Sequence, residues 1–246
     1  GSMMKIYVVG IGPGNQEYMT PQARAAIEKS DVIVGYTLYV ELVSELTAGK
    51  IVKSTAMKQE VDRCRMALES ALEGNTVAFV CSGDSGVYGM AGIMLEVAES
   101  HPEVEIEVVA GITAACSGAA VLGAPLIHDF AVISLSDLLT PWEKIEKRLA
   151  LAAEADFVIC LYNPKSKKRR DYIDKAAEIV SRSRPWDTPC GYVKNIGREK
   201  ECGVQCTLRE LTENEDIDMF TTVFIGNSST KRINGKMVTP RGYRDI

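Results

Sequence analysis

The sequence predicts an α/β protein of two domains, with a parallel sheet in the first domain and a mixed sheet in the second. Three observations support this fold class. Short runs of β-branched residues alternate with helical stretches, which is typical of βαβ units. The pattern restarts after the small-residue run at 111–117, where we place the domain boundary. Near the end, Asn234-Gly235 between two short runs predicts an antiparallel hairpin with a type I′ turn.

The predicted elements follow the chain in a regular order. In the first domain, residues 4–112, strands are expected at 5–10, 31–34, 51–53, 76–80 and 105–110, and helices at 61–73 and 90–98. In the second domain, residues 113–246, strands are expected at 131–134, 157–161, 191–194 and 220–225, followed by the hairpin at 231–238. A helix is predicted through 180, and the basic run at 165–170 lies immediately before it or within its first turn.

The composition is that of an ordinary globular chain. Of the 246 residues, 46% are hydrophobic and 25% are charged, and no apolar run approaches the roughly 20 residues of a membrane span. The net charge of -5 argues against a broad nucleic-acid surface. Residues 1–3 read as an expression remnant, no signal sequence follows Met4, and the seven cysteines are scattered and odd in number. We therefore expect a cytoplasmic protein that binds neither nucleic acid nor membrane.

The first glycine-rich loop, GIGPGN at 10–15, does not match the dinucleotide-binding fingerprint. That fingerprint requires a small residue where Asn15 stands, and Pro13 lacks an amide donor for a phosphate. Thr20-Pro21 predicts that the next helix begins several residues later. A glycine turn that only lets strand and helix pack is one interpretation. We favour a loop that brings bare backbone close to a bulky ligand.

A second glycine-rich segment, CSGDSGVYGM at 81–90, follows the fourth predicted strand. Ligands of α/β sheets bind at the carboxyl ends of the strands, so Asp84 is suited to accept hydrogen bonds from a ribose or to lie near a cation. The alternative is that Asp84 caps a helix starting near Gly86, because Asp is among the best N-cap residues. Both interpretations have nearly equal weight at this point.

Four motifs together resemble one family: VGIGPG at 9–14, GDSGVYG at 83–89, GITAA at 111–115 and LYNP at 161–164. They are similar to those of the tetrapyrrole (class III) S-adenosylmethionine-dependent methyltransferases. The strings SLSDLLTPWEKIEKR at 134–148 and TVFIGNS at 222–228 resemble the branch that methylates C17 of precorrin-3B or cobalt-factor III. One departure is Ser85, where many relatives carry proline. It weakens a match to uroporphyrinogen methyltransferases more than a match to this branch.

This resemblance implies a homodimer in which each chain binds S-adenosylmethionine in the cleft between two α/β domains and releases S-adenosylhomocysteine. The cofactor contacts that it implies are Pro13, Gly83, Asp84, Val87, Tyr88, Thr113, Ala114, Tyr162, Asn163 and Thr222. The substrate is then a tetrapyrrole, and the first glycine loop forms a floor for the flat macrocycle. The implied substrate-binding residues are Gly10, Gly12, Gly14, Ser134 and Ser136.

The expected chemistry needs few acidic or basic side chains. Methyl transfer from a sulfonium to a ring carbon depends mainly on positioning. The ring contraction that this branch couples to methylation also requires proton transfers, for which a positioned side chain is suited. Of the two histidines, His101 lies in a polar turn and is expected to be solvated. His128 precedes a predicted strand and is the catalytic candidate, while a purely structural histidine fits the sequence equally well.

A basic run at 165–170 precedes a predicted helix, and its positive charges oppose the dipole of that helix. We predict that Arg169 and Arg170 in this run bind carboxylates of the substrate. The alternative is a solvated basic surface with no ligand.

The cysteines do not predict a metal site. Cys202 and Cys206 lack a second pair of Cys or His residues at a ligating spacing. Cys81, Cys116 and Cys160 lie among apolar residues and are expected in the core. Any cobalt would arrive within the substrate.

Two other functions remain compatible with the sequence. An enzyme with a different acceptor, such as another corrinoid methyltransferase or a diphthine-type enzyme, would keep the fold and the cofactor, although the SLSDLLTPWEKIEKR string argues against it. A ligand-binding module without turnover is the alternative from a different class, because obvious catalytic side chains are few. Formation of S-adenosylhomocysteine distinguishes an enzyme from such a module.

Overall fold

The computed structural model describes residues 4–166, 171–212 and 214–245 of the chain. The fold divides between Thr113 and Ala114 into two compact units. The sequence placed the domain boundary one residue earlier, between residues 112 and 113. Each unit contains a five-stranded sheet of its own.

The first unit is a parallel sheet with helices on both faces. Its elements are β1 (Lys5–Gly10), α1 (Pro21–Lys29), β2 (Val32–Tyr36), α2 (Thr37–Leu42), β3 (Ile51–Thr55), α3 (Glu60–Leu72), β4 (Thr76–Cys81), α4 (Ala91–Val97) and β5 (Glu105–Val109). The strands pair in parallel in the order β3-β2-β4-β1-β5. The parallel sheet is confirmed, and each predicted strand and helix of this domain ends within about two residues of its observed bounds.

The burial of β1 explains why the first unit has two helical layers. Ile6 and Val8 pack with α3 and α4, whereas Tyr7 and Val9 pack with α1 and α2. A strand that is covered on both faces is apolar throughout, because neither face meets water. The predicted helix start at Thr20-Pro21 is also confirmed, since the Thr20 hydroxyl accepts a hydrogen bond from the third amide of α1 at 3.0 Å.

The second unit is a mixed sheet with a small accessory sheet. Its elements are α5 (Ala114–Leu122), β6 (Gly123–Ala124), β7 (Phe130–Ser134), α6 (Trp142–Glu154), β8 (Val158–Tyr162), α7 (Tyr172–Ser181), β9 (Pro189–Lys194), β10 (Cys202–Thr207), α8 (Leu208–Leu211), β11 (Thr221–Ile225), β12 (Lys231–Ile233) and β13 (Lys236–Val238). The large sheet has the order β10-β9-β11-β8-β7, in which only β7 and β8 pair in parallel. The mixed sheet is confirmed.

Two local features of this unit differ in how well the sequence predicted them. The hairpin of β12 and β13 is confirmed, and Asn234 and Gly235 have φ angles of 50° and 79°, as a type I′ turn requires. Strand β10 was not predicted. Its sequence, CGVQCT, contains a glycine and lacks a clear apolar alternation, because it lies at the edge of the sheet and is largely exposed at its start.

The cysteine predictions are confirmed at two positions and wrong at the third. Cys81 and Cys160 are buried, as expected, but Cys116 is exposed. It lies on the outward face of α5, between the buried Ala115 and Ser117, so its apolar sequence context did not indicate its burial. Within the described parts of the chain, no helix has the length and apolarity that crossing a membrane requires.

Candidate active site

At the carboxyl end of the first unit's sheet, three segments join into one group, here called the first loop cluster: residues 10–20, 82–90 and 110–113. The amide of Ile11 donates to the Cys81 carbonyl at 2.9 Å. Gly12 and Gly83 exchange two backbone hydrogen bonds, of 3.1 and 2.9 Å. Since these amides are engaged within the protein, they are not available to a phosphate, which agrees with the failed dinucleotide fingerprint.

The glycines of this cluster allow backbone segments to approach closely. A β-carbon on Gly10 would lie 2.7 Å from the Gly83 carbonyl oxygen, and one on Gly111 would lie 2.2 Å from the same oxygen. Gly10, Gly12 and Pro13 are buried, and Gly14 is half-buried. The geometry therefore gives Gly10 and Gly12 a packing role, and their predicted contact with a macrocycle remains a prediction.

The Asp84 carboxylate ties two segments of the cluster together. One oxygen accepts hydrogen bonds from the amides of Gly86 and Val87 at 2.9 and 3.1 Å, and the other accepts from Gly111 at 2.9 Å. Burial by itself raises the pKa of this carboxyl, but the donating amides, Gly111 first, outweigh burial and hold the pKa below its ordinary value of 3.8. Asp84 is therefore an ionised, internally bonded group.

The alternative that Asp84 caps a helix starting near Gly86 is wrong. Helix α4 begins at Ala91, and Met90 stands at its N-cap position. The residues between Asp84 and Ala91 form bends. In these bends the Asp84 carboxylate accepts hydrogen bonds from the amides of Gly86 and Val87, as an N-cap side chain would at the start of a helix.

The same loop presents two exposed apolar side chains. Val87 is 39% exposed and Tyr88 is 54% exposed. Tyr88 also has a φ of 51°, in the left-handed region that large L-residues rarely adopt. Backbone conformations of this kind are concentrated at ligand-binding sites, where the surrounding structure enforces them. Val87 and Tyr88, both predicted cofactor contacts, are thus displayed outward next to Asp84.

In the second unit, a comparable group forms where β7 and β8 end and β11 begins. We call the segments 114–115, 134–136, 162–163 and 221–222 the second loop cluster. The phenol oxygen of Tyr162 accepts a hydrogen bond from the amide of Ala115 at 2.6 Å. This bond satisfies one of the free amides at the start of α5, beside the predicted contact Ala114.

Asn163 and Ser134 are joined across the ends of two neighbouring strands. The Asn163 amide donates to the Ser134 hydroxyl at 2.9 Å, and the amide of Ser136 donates to the same hydroxyl at 3.2 Å. Asn163 has a φ of 53°, which asparagine tolerates better than other residues with a β-carbon. The structure thus brings together Ser134, Ser136 and Asn163, predicted from separate parts of the sequence.

Thr222 is a nearly buried residue whose hydroxyl remains available to a ligand. The residue is 6% exposed, and its hydroxyl makes no hydrogen bond with the described residues. It is not among the fully buried polar atoms that lack a partner, so the oxygen still contacts solvent. A hydroxyl in this position is suited to bind a polar ligand atom.

A charged group that the sequence did not predict lies at the end of β9. The Lys194 ammonium contacts the carboxylates of Asp216 at 2.9 Å and Asp218 at 3.6 Å, and the phenol of Tyr192 donates to Asp216 at 3.0 Å. The hydrogen bond to Asp216 raises the pKa of Lys194. Asp216 and Asp218 are far from Lys194 in the sequence, so the pattern of charges within one strand does not predict these ion pairs.

The remaining predicted residues lie apart from these two clusters or outside the described chain. His128 is exposed and precedes β7, whereas Ser134 ends that strand at its opposite end, so the second unit does not bring the two together. Its catalytic role stays a prediction. His101 is partly exposed in its turn, 2.9 Å from the Glu103 carboxylate. Arg169 and Arg170 fall outside the described residues.

The described residues contain no group of three or more His, Cys, Asp or Glu side chains that could hold a metal ion.

Comparison with known proteins identifies the family. A profile for the tetrapyrrole (corrin/porphyrin) methylases matches residues 5–212. The chain belongs to the tetrapyrrole methylase family. The enzyme prediction is thereby confirmed, and the alternative of a binding module without turnover is set aside.

Two curated tetrapyrrole methylases are similar along nearly the whole chain. The probable cobalt-factor III C(17)-methyltransferase of Salmonella typhimurium is 47% identical over 237 residues, which are 96% of this chain and 98% of the relative. The precorrin-3B C(17)-methyltransferase of a Sinorhizobium species is 39% identical, with 97% of this chain and 96% of the relative covered. The predicted resemblance to the C17 branch is therefore confirmed.

Solved structures of tetrapyrrole methylases share the fold. The methyltransferase CobJ has a TM-score of 0.88 and 38% identity, covering 96% of this chain and 99% of that chain. The uroporphyrin-III C-methyl transferase from Thermus thermophilus, complexed with S-adenyl homocysteine, has a TM-score of 0.73 and 26% identity, covering 90% and 97%. The α/β fold class is confirmed.

Proposed function

We propose that this chain transfers a methyl group from S-adenosylmethionine to C17 of a corrinoid precursor, coupled to contraction of the ring. The observation that carries this proposal is the 47% identity, along nearly the full length, to a probable cobalt-factor III C(17)-methyltransferase. The lower identity of 39% to a precorrin-3B enzyme favours the cobalt-containing substrate. The cobalt would then be part of the substrate rather than a resident metal.

The residues of the first loop cluster fit S-adenosylmethionine. Asp84 is held ionised by backbone amides, and its oxygens retain acceptor capacity for ribose hydroxyls. Tyr88 and Val87 present apolar surface beside it. We propose that these residues, together with Pro13, Gly83 and Thr113, bind the cofactor. A neighbour in the same family is complexed with S-adenyl homocysteine, which supports this use of the site.

The residues of the second loop cluster also fit a polar ligand. We propose that Ala114, Tyr162, Asn163 and Thr222 contribute to cofactor binding. The support is the Thr222 hydroxyl, which has no hydrogen-bond partner among the described residues yet still contacts solvent. When bound, S-adenosylmethionine supplies an electrophilic methyl group on its sulfonium.

The contribution of the chain to methyl transfer is positioning. The two loop clusters are locked by hydrogen bonds that involve Asp84, Tyr162 and Asn163, so their ligand-facing atoms are fixed before binding. Fixed positioning lowers the barrier of an in-line displacement without an acid or base. The substrate-binding roles of Gly10, Gly12, Gly14, Ser134 and Ser136 are part of this proposal, as are the carboxylate contacts of Arg169 and Arg170.

Two further expectations concern assembly and the ring contraction. We expect a homodimer in the cytoplasm, as the family resemblance implies, and light scattering after size-exclusion chromatography measures the mass of the assembly. His128 remains the candidate for proton transfer during ring contraction. Its exposed position before β7 makes His128→Ala a stable variant in which only the contraction step should slow, while S-adenosylhomocysteine formation continues.

The proposed function is tested by anaerobic incubation of the chain with S-adenosylmethionine and each of two acceptors. One is the cobalt-loaded trimethylated tetrapyrrole, and the other is the metal-free hydroxylactone precursor. We expect S-adenosylhomocysteine and a singly methylated product, seen by mass spectrometry, from the cobalt compound. Methylation of only the metal-free compound would assign the oxygen-dependent reaction instead. If neither acceptor is methylated, the C17 assignment is wrong.

A further inference from the structure

Arg63 of helix α3 is buried without an anionic partner. Its residue surface is 6% exposed, and Nη1 donates to the Thr55 hydroxyl at 3.1 Å and to the Ala56 carbonyl at 2.9 Å. Both acceptors are neutral. Among residues 4–166, 171–212 and 214–245, no carboxylate forms an ion pair with this guanidinium. Burial of a cation that lacks a counter-charge is costly unless its donors are hydrogen-bonded or an anion binds beside it.

Two other donors of Arg63 are not used within the described protein. Nε and Nη2 form no hydrogen bond with the described residues, and neither belongs to the fully buried atoms that lack a partner. Both nitrogens therefore still contact solvent. Two adjacent guanidinium donors match the two oxygens of a carboxylate, which Arg binds in a bidentate manner.

Comparison with Arg184 shows that burial alone does not explain Arg63. Arg184 is 5% exposed, and its guanidinium donates to backbone carbonyls of Gly226 at 2.7 Å, Ala152 at 3.3 Å and Phe157. These bonds join separate segments of the second unit, so Arg184 is a structural residue. Arg63 uses only one terminal nitrogen for such bonds, and its Nε and Nη2 form no hydrogen bond with the described residues.

The surroundings of Arg63 place it at the carboxyl-terminal edge of the first unit's sheet. Its guanidinium carbon lies 5.9 Å from the ring centre of Tyr36, which ends β2. Strand β2 pairs directly with β4, with Gly35 opposite Val80. Tyr36 therefore lies one strand away from the loop that contains Asp84. Parallel neighbours are about 4.8 Å apart, so this edge continues from the first loop cluster to Arg63.

The charge of Arg63 acts on the end of β4. Burial raises the pKa of the Cys81 thiol to about 12, and a backbone hydrogen bond with Met90 and, less strongly, the Arg63 guanidinium oppose that rise. The same holds for Cys64, where burial raises the pKa to about 11 and Arg63 opposes it. The positive charge of Arg63 therefore lies near the end of the strand that leads into the Asp84 loop.

We propose that Arg63 forms a carboxylate-binding subsite for the tetrapyrrole substrate, with Thr55 and Ala56 fixing its orientation and Tyr36 packing beside it. This inference rests on the proposed function, because tetrapyrrole precursors carry acetate and propionate side chains. It is independent of Arg169 and Arg170, the other predicted carboxylate contacts.

The test measures binding rather than turnover, with uroporphyrin III as the probe. Its fluorescence is titrated with wild-type chain, Arg63→Gln, Arg63→Lys and the exposed control Arg232→Gln, and S-adenosylhomocysteine binding is measured by calorimetry for each. We expect Arg63→Gln to weaken porphyrin binding about tenfold or more, as loss of a charge-assisted hydrogen bond predicts. Arg63→Lys should lose less, Arg232→Gln should bind as wild type, and all four should bind S-adenosylhomocysteine alike.

A second arm uses the octaamide of uroporphyrin III, in which the carboxylates are uncharged. Wild type should bind the amide more weakly than the acid, and Arg63→Gln should show a smaller difference. This comparison remains valid if the substitution lowers stability, because each protein is its own reference. If wild type and Arg63→Gln prefer the acid over the amide to the same extent, the subsite is overturned and the proposed function is left intact. Failure of wild type to prefer the acid over the amide overturns the subsite, whereas the proposed function is tested separately by the methylation assay.

Discussion

The carboxylate of Asp84 accepts a hydrogen bond from the backbone amide of Gly111 at 2.9 Å. This bond joins the loop after β4 to the segment after β5, although 27 residues separate the two partners. The second carboxylate oxygen holds the amides of Gly86 and Val87. One ionised side chain thus shapes the proposed cofactor site and is itself part of it.

Asp84→Asn should destabilise the chain at neutral pH by about 1–3 kcal/mol, because an amide side chain replaces one acceptor with a donor that faces backbone amides. The pKa of Asp84 is lowered in the folded state, so its stabilising contribution is present above the ordinary value of 3.8 and is lost as the pH falls through the lower folded pKa. The stability difference between wild type and Asp84→Asn should therefore shrink below about pH 4. Urea unfolding at a series of pH values measures it.

Asp187→Asn is a suitable control for this series, since Asp187 is exposed, lies in the second unit and forms no hydrogen bond or ion pair with the described residues of either loop cluster. A stability difference that stays constant from pH 7 to the acid limit would contradict the assigned role of the Asp84 carboxylate.

Gly111→Ala should lower stability by about 1–3 kcal/mol, because its β-carbon would lie 2.2 Å from the Gly83 carbonyl oxygen and 2.6 Å from the backbone of Gly10. S-adenosylhomocysteine affinity should fall with it. Gly92→Ala is the matched control: Gly92 lies in α4, and apart from its chain neighbours and its own helix backbone nothing lies within 4 Å of its β-carbon position, so alanine should be neutral or stabilising. Thermal unfolding measures the stability and calorimetry measures the affinity. Equal stability and affinity of the Gly111→Ala and Gly92→Ala variants would refute the close packing of Gly111 against Gly83 and Gly10.

Tyr162→Phe should lose about 1 kcal/mol of stability, because the amide of Ala115 at the start of α5 loses its acceptor. S-adenosylmethionine affinity should also decrease if the second loop cluster binds the cofactor. Tyr243→Phe, at a residue that is 73% exposed, should leave both unchanged. Retention of wild-type stability and affinity in Tyr162→Phe would show that this hydrogen bond has no role.

Asn163 allows the backbone and side-chain contributions to be separated. Its φ of 53° is easily adopted by glycine, whereas alanine is strained there, so Asn163→Ala should be about 1 kcal/mol less stable than Asn163→Gly. Both variants lose the bond to Ser134, and both should show a similar loss of methyl-transfer rate.

Asn234 serves as the control, because it has a φ of 50° in the β12–β13 hairpin. Asn234→Ala should lose stability but keep the methyl-transfer rate. An Asn163→Gly variant with full activity would mean that its side chain does not contribute to the site.

The sequence predicted most of the fold because burial and periodicity are local properties. Strands covered on both faces, such as β1 and β4, are continuous apolar runs. Thr20-Pro21 predicted a helix start, because the threonine caps the helix and proline fits its first position. Asn234-Gly235 predicted a turn, because both residues adopt positive φ angles. Edge strand β10 was missed because it is not covered on both faces and its sequence lacks a clear apolar alternation.

The site was predicted less completely because its contacts join distant segments. Asp84 was identified as a candidate, but its bond to Gly111 follows from the parallel order of β4, β1 and β5. Arg63 was not identified. Its position on one helix face with the buried Ala67 and Ser70, at spacings of four and seven residues, was the available signal.

The measurement that tests the central claim most directly is carbon-13 NMR of the product formed from methyl-labelled S-adenosylmethionine and the cobalt-loaded trimethylated tetrapyrrole. The account predicts one enriched methyl group attached to C17 of a ring-contracted product, with one equivalent of S-adenosylhomocysteine. A label on another ring carbon, or a label that remains entirely in S-adenosylmethionine, would contradict it.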